Sequence, residues 1–307
     1  MPESRRGVLY GIAAYAMWGL FPLYWPLLKP SGALEILAHR MVWSLVVVAA
    51  ILAVRRHWSW FGELLRTPRK LGLLVLAAAI VTVNWGVYIY AVNTGHVVES
   101  ALGYFINPLV SVLFGVFLLK ERLRPLQWAA VGMGALSVVV LTVDYGRLPW
   151  IALVLAASFG TYGLIKKIAA VGAAESMTIE TLVLLVPAFA YLVYLQVQGE
   201  GTFANAGTGH ALLLAGAGAI TAVPLLCFTA AAIRVPLTTI GLLQYIAPVL
   251  QFLCGVFVVH EAMPASRWAG FAIVWLALSI FTWDSLRAAH QARRVALRDL
   301  EPAGTPG

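Results

Sequence analysis

The chain has 307 residues, 61% of them hydrophobic and 11% charged, and a formal net charge of +8. Soluble globular domains average about 25% charged residues, so two water-soluble lobes are excluded for want of charge to coat them. The only aspartates, Asp144, Asp284 and Asp299, lie too far apart for the paired Asp-rich motifs that hold a Mg²⁺-diphosphate, and Cys227 and Cys254, both inside apolar runs, build neither a disulfide framework nor a zinc site.

A helix crossing ~30 Å of hydrocarbon needs about 20 apolar residues. Ten such runs follow one another: 7–28, 33–54, 71–92, 98–119, 125–143, 149–168, 177–197, 210–233, 236–259 and 264–284. Pro125, Pro149, Pro236 and Pro264 stand at run starts, where the first helical turn tolerates a missing N–H. Trp58, Trp60, Phe61, Leu64 and Leu65 among basic residues make 55–70 an amphipathic surface segment. The stretch 198–209 reads as a Gly/Asn/Thr-rich loop, and the basic tail 285–307 is expected to fray. Trp128, Trp150, Trp268 and Trp283 are expected in the interfacial belts.

An even number of spans puts both termini on one side. Of the 21 basic residues, 17 fall on that side, at 5–6, 55–56, 66–70, 120–124, 166–167, Arg234 and the tail; Lys29, Arg147 and Arg267 fall opposite, and Arg40 lies within a span. Positive residues mark the cytoplasmic side, so both termini are expected there, in a plasma membrane. The basic charge is then a signal of topology, with anionic lipid as a contact, and nucleic acid is not expected as a partner.

The chain also repeats itself. GYFINPLVSVLFGVFLLKE (103–121) and LQYIAPVLQFLCGVFVVHE (243–261) agree at an offset of 140, which lays Pro108 on Pro248, Gly115 on Gly255, Glu121 on Glu261 and Trp128 on Trp268. Five spans per copy is an odd number, so the second copy enters from the other side of the bilayer. The expected fold is an all-α membrane protein of ten helices in two inverted five-helix repeats, 1–144 and 145–284, with 285–307 as a cytoplasmic tail. Two near-equivalent packings facing opposite compartments are the structural basis of alternating access.

The segments AYAMWGLFP (14–22), EILAHRMVWS (35–44), NWGVYIYAVNTGHVVESALGYFINPL (84–109), SFGTYGLIKK (158–167) and LTTIGLLQYIAPVLQFL (237–253) resemble RarD-type permeases, in the ten-span EamA branch of the drug/metabolite transporter superfamily. The resemblance covers about 7–284. It implies two EamA repeats in the bacterial inner membrane and export of small molecules.

Polar groups inside spans are costly and mark either a substrate path or the joints between helices. Ser100, Tyr104, Asn107 and Ser111 share one helical face, as do Gln244, Pro248, Gln251 and Gly255, with Tyr245 beside them. These two symmetry-related stripes either line a central cavity or bond helix to helix. Pro108 and Pro248 each free a carbonyl near mid-span and are candidate helix breaks or hinges, with a static kink as the alternative. Glu35, His39 and Trp43 follow at i, i+4 and i+8, next to Arg40 and Ser44, and Asn84 and Tyr88 share a face beside Trp85. Arg40 either pairs with Glu35 or Glu99 or meets a ligand.

Substrate contacts are therefore sought among Arg40, Trp43, Asn84, Trp85, Tyr88, Tyr104, Asn107, Ser111, Tyr162, Gln244, Tyr245 and Gln251, and proton coupling among Glu35, His39 and Glu180. Glu180 is the counterpart of Arg40, but inversion sets the two at different depths, so no ion pair between them is expected. No nucleotide-binding, nucleophile or metal motif is present, so no cofactor or catalytic residue is expected and an intramembrane enzyme is the weaker alternative. The expected activity is secondary transport of a small amphipathic metabolite or drug. A lipid flippase or lipid-binding protein is the other reading.

Overall fold

The computed structural model describes residues 3–55, 59–120, 122–171, 173–232, 234–235 and 237–300; Arg56, Trp58, Glu121, Pro236 and 301–307, which the sequence reading used, lie outside them. Among the described residues every regular element is helical: α1 (Glu3–Gly19), α2 (Phe21–Tyr24) with a 3₁₀ turn (Trp25–Leu28), α3 (Ala33–Arg55), α4 (Ser59–Leu65), α5 (Pro68–Asn93), α6 (Val97–Leu119), α7 (Pro125–Tyr145), α8 (Trp150–Ala169), α9 (Ala173–Val197), α10 (Thr202–Asn205), α11 (Thr208–Ala232), α12 (Leu237–Leu243), α13 (Ile246–Leu253) with a π turn (Cys254–Val258), and α14 (Ala265–Leu300). Among the described residues seven helices are long and apolar enough to cross a bilayer, or eight if the bent pair Glu3–Gly19 and Phe21–Leu28 is one span; Trp150–Lys166 and Ile246–Val258 are apolar but shorter. The four tryptophans assigned to interfacial belts are exposed.

Two of the apolar runs break close to a proline. Pro22 cannot donate to the Trp18 carbonyl and its ring crowds it; the chain bends by 42° between Gly19 and Phe21. The side chain of Gln251 takes up the freed acceptor, its Nε2 donating to Trp18 O at 3.3 Å. Pro248 acts likewise on Gln244, four residues back, and the ninth run is interrupted at Gln244–Tyr245, between α12 and α13. Its counterpart Pro108 lies inside the uninterrupted helix α6, as do Pro187 in α9 and Pro224 in α11. Of the two symmetry-matched prolines, Pro248 coincides with an interruption of its helix and Pro108 does not.

The tail also departs from expectation, since α14 runs on to Leu300 instead of fraying after 284. In the 55–70 segment, α4 lays Leu64 against Leu74, Ala169 and Ile179, with Trp60 and Phe61 alongside. The amphipathic face there is turned onto protein.

The chain forms two compact units, Met1–Phe114 with Pro149–Met263, and Gly115–Leu148 with Pro264–Gly307. In the smaller unit α7 and α14 pack together and bridge reciprocally: Arg124 Nη2 lies 2.6 Å from Asp284 Oδ2, and Arg267 Nε lies 2.8 Å from Asp144 Oδ2. Each bridge joins the start of one helix to the far part of the other, so the pair is antiparallel. The offset of 140 that aligns the two copies also carries Asp144 onto Asp284.

In the larger unit α3 packs on α9 and α11, α5 on α8 and α9, and α1 on α11 and α13. The α3–α11 contact depends on a missing side chain, because a Cβ on Gly218 would overlap the Trp43 carbonyl. A Cβ on Gly103 would come within 2.7 Å of the Ala152 carbonyl oxygen.

Gly218→Ala and Gly103→Ala should each cost about 1–3 kcal/mol or more, the range for overpacking, whereas Gly72→Ala, with open space around it, should leave the melting temperature of the purified protein unchanged or higher. Asp144→Asn removes the carboxylate that pairs with the largely buried Arg267 and should cost up to about 3 kcal/mol. Asp284→Asn leaves the half-exposed Arg124 free to turn to water and should cost about 1 kcal/mol or less. Thermal unfolding in detergent checks both pairs of variants.

Candidate functional site

Arg40 sits on α3, one turn before Trp43, and the close approach at Gly218 brings the next turn of α11 beside it. Its Nε donates to Thr221 Oγ1 at 2.8 Å, and Thr221 in turn donates to Ala217 O. The guanidinium carbon stands over three aromatic rings, 3.9 Å from the centroid of Trp85, 5.4 Å from Trp25 and 5.8 Å from Phe21. The residue is 3% exposed. Phe21 and Trp25 come from the bent end of the first span and Trp85 from α5, so the bend at Pro22 helps to build this cage.

Neither acid expected as a partner for Arg40 reaches it. Glu35 Oε1 accepts from Thr202 N at 2.7 Å, at the start of α10. Glu99 Oε1 accepts from Ile151 N at 3.1 Å, at the start of α8. Glu261 Oε1 accepts from Val98 N at 2.9 Å, at the start of α6. All three carboxylates serve as caps donated from elsewhere in the chain to helix N-termini, where unsatisfied N–H groups and the positive end of the helix dipole favour an anion. Among the described residues no carboxylate stands within ion-pairing distance of Arg40.

Glu180 makes no contact with Arg40. Its Oε1 lies 2.7 Å from Lys166 Nζ and 2.6 Å from Ser176 Oγ, and its Oε2 accepts from Tyr162 OH at 3.0 Å; Lys166 also donates to Ser176. Tyr162, sought as a substrate contact, is thus a ligand of this carboxylate.

Asn84 proves to be a joint. Its Nδ2 donates to Leu155 O at 3.0 Å and Ser158 Oγ at 2.9 Å, and its Oδ1 accepts from Tyr104 OH at 3.1 Å, tying α5 to α6 and α8. Tyr88 packs edge-on to Tyr104 at 5.7 Å, and its hydroxyl, though buried, has no hydrogen-bond partner. Of the two polar stripes, Ser100 bonds its own helix at Val97 O, Ser111 is exposed, and Asn107, Gln244 and Tyr245 are half-buried. The Asn107 and Gln251 side-chain carbonyls are buried without a partner.

One cluster was not legible as a site in the sequence. The 198–209 stretch folds as α10 against α3: Phe203 stacks on His39 at 4.8 Å and lies 6.1 Å from Trp43, ring centre to ring centre. Ser31 Oγ is 2.6 Å from Thr202 Oγ1, and both hydroxyls reach His210 Nε2, at 2.8 and 3.1 Å. Both ring nitrogens of His39 and the indole nitrogen of Trp43 are buried without partners. The only sequence signal was the single aromatic in a Gly/Asn/Thr-rich loop. Its target is 160 residues away along the chain, and periodicity cannot see such a contact.

Comparison with known proteins agrees with this architecture. Residues 5–143 match the model of the EamA-like transporter family. The chain is 62% identical over 291 residues to Protein RarD of Streptomyces exfoliatus, covering 95% of this chain and 92% of that protein. It is 43% identical over 284 residues to Protein RarD of Escherichia coli, covering 92% and 96%. It is 35% identical over 304 residues to the "Chloramphenicol-sensitive protein RarD" of Pseudomonas aeruginosa, covering 96% and 99%. A solved structure at 19% identity superposes with a TM-score of 0.58 over 89% of this chain and 96% of its own, a likeness of fold. With its run of long apolar helices, the chain is a multi-pass membrane protein and belongs to the EamA-like transporter family as a RarD-type permease.

Proposed function

We propose that the chain is a secondary active transporter that exports small amphipathic metabolites or drugs by alternating access across the bacterial inner membrane. The observation that carries the reading is the cage at Arg40. A buried cation that, among the described residues, has no carboxylate partner and is ringed by aromatic side chains and by polar atoms without hydrogen bonds suits a ligand site better than a packed joint. Export, as the direction, is supported by the family resemblance alone.

In this reading ten spans form two inverted repeats, 1–144 and 145–284, with both termini cytoplasmic. The reciprocal Arg–Asp bridges of α7 and α14, the last helix of each repeat, support the inversion, since a twofold axis exchanges two such bridges. The interruption at Gln244–Tyr245 against the continuous helix through Pro108 supports two halves held in different states. The segment carrying α10 acts as the outer gate, closed by Phe203 on His39 and Trp43 and latched by Glu35 and Ser31.

The test begins with binding. A library of metabolites and antibiotics is screened for compounds that raise the melting temperature of the purified protein, and each hit is measured for flux in proteoliposomes. In a background free of other cysteines, Ser31→Cys with Thr202→Cys should form a disulfide, because the native oxygens are 2.6 Å apart. Oxidation should stop flux of a hit and reduction should restore it. Undiminished flux through the oxidised protein sinks the gate, and hits that bind without crossing favour the lipid-binding alternative.

Proton coupling is checked separately. His39→Ala should reduce flux driven by a pH gradient while leaving exchange between equal pools intact, and Glu180→Gln, which removes the partner of Lys166, is measured beside it. Full pH-driven flux in both variants removes these residues from coupling.

A further inference from the structure

The cage also says what kind of molecule it takes, an inference that rests on the transport reading above. We infer that Arg40 anchors a singly charged carboxylate borne on an aromatic or broad apolar body.

The argument starts from the guanidinium's donors. An arginine carries five N–H donors in one plane and no acceptor. One of Arg40's is spent on Thr221 Oγ1, and among the described residues the other four have no hydrogen-bond partner. The aromatic rings do not substitute for one. A ring offers its face to the cation, whereas hydrogen bonds must be received in the guanidinium plane. Retaining a cation in such a place is costly unless an anion or a strong acceptor meets it for part of the cycle, and in this structure the acids around it are engaged elsewhere. Glu35, Glu99 and Glu261 cap α10, α8 and α6, and Glu180 is bound to Lys166.

The neighbouring polar atoms point to the same charge. Trp25 Nε1, in the ring beneath Arg40, is buried and has no partner among the described residues, and indole nitrogen only donates. Tyr88, in the same cluster, has an unpartnered hydroxyl that can donate. A site rich in free donors, with a fixed cation at its centre and, among the described residues, no free carboxylate, suits an anion better than an ammonium group. A single cation matches a single negative charge, and the planar fork of arginine matches a carboxylate's two oxygens. Phe21, Trp25, Trp85 and Tyr88 supply the apolar walls. The class that fits is an aromatic monocarboxylate without a free amine.

The experiment needs no variant to begin. Purified wild-type protein is titrated with 3-phenylpropanoate, its neutral isostere 3-phenylpropanamide, phenethylamine and phenyl phosphate, and the shift in melting temperature and the Kd are read. The carboxylate should stabilise the protein and bind at least tenfold more tightly than the amide or the amine. Arg40→Gln should weaken the carboxylate at least tenfold while leaving the amide unchanged, and Arg40→Lys should fall between. Equal binding of amide and carboxylate, or carboxylate binding undiminished in a folded Arg40→Gln, overturns the inference while leaving transport of neutral solutes standing. Tighter binding of phenyl phosphate overturns the carboxylate class in favour of a phosphate. No binding by any monocarboxylate from acetate to indole-3-acetate overturns it as well. Flux of library hits in proteoliposomes then decides the transport reading separately.

Discussion

Helix ends buried in an apolar protein must find hydrogen-bond partners within the protein, because hydrocarbon offers none. Much of this structure follows from how that demand is met. Three of its scarce carboxylates, Glu35, Glu99 and Glu261, cross from one element to the N-terminus of another and accept a backbone N–H there. For α8 and α10 the residue at the helix start offers no side-chain cap of its own. Acids committed in this way stand away from Arg40, which among the described residues has no carboxylate within ion-pairing distance. The chemistry of the site is thus partly a consequence of the capping.

Close approach supplies the second half of the arrangement. Gly218 lets α11 come against the Trp43 carbonyl, and within a turn Thr221 reaches Arg40. The proline at 22 bends the first span so that Phe21 and Trp25 stand over the same guanidinium, and Gln251 satisfies the carbonyl which that bend releases. Packing, backbone geometry and electrostatics therefore converge on one residue. Asn84 shows the contrasting case, a polar side chain whose bonds are all spent on holding α5, α6 and α8 together.

Within the larger unit, one polar group stays fixed and another is poised. Glu180 has three donors and a fixed place between α8 and α9. The bonds that hold the α10 segment near α3 include the Thr202 N–H donated to Glu35, a triangle of Ser31, Thr202 and His210, and the Phe203 ring stacked on His39 and Trp43. Small elements tied by a few such bonds open at low free-energy cost compared with whole packed helices, which suits a gate.

The sequence alone determined the helical class and the apolar runs, because a bilayer's thickness and its lack of hydrogen-bond partners leave few other ways to fold so apolar a chain. The family resemblance was equally plain in its polar motifs. The sequence also singled out Arg40 and Trp85, since an ionisable residue deep in a span is rare. What only the tertiary structure decided is which partner each polar group takes. Glu35 at Thr202, Phe203 on His39, and Thr221 beside Arg40 are contacts between residues more than 160 positions apart. Helical periodicity reports which face a residue occupies and is silent on what that face meets. The two matched prolines make the same point: Pro108 and Pro248 share a local motif, yet the helix continues through one and is interrupted before the other.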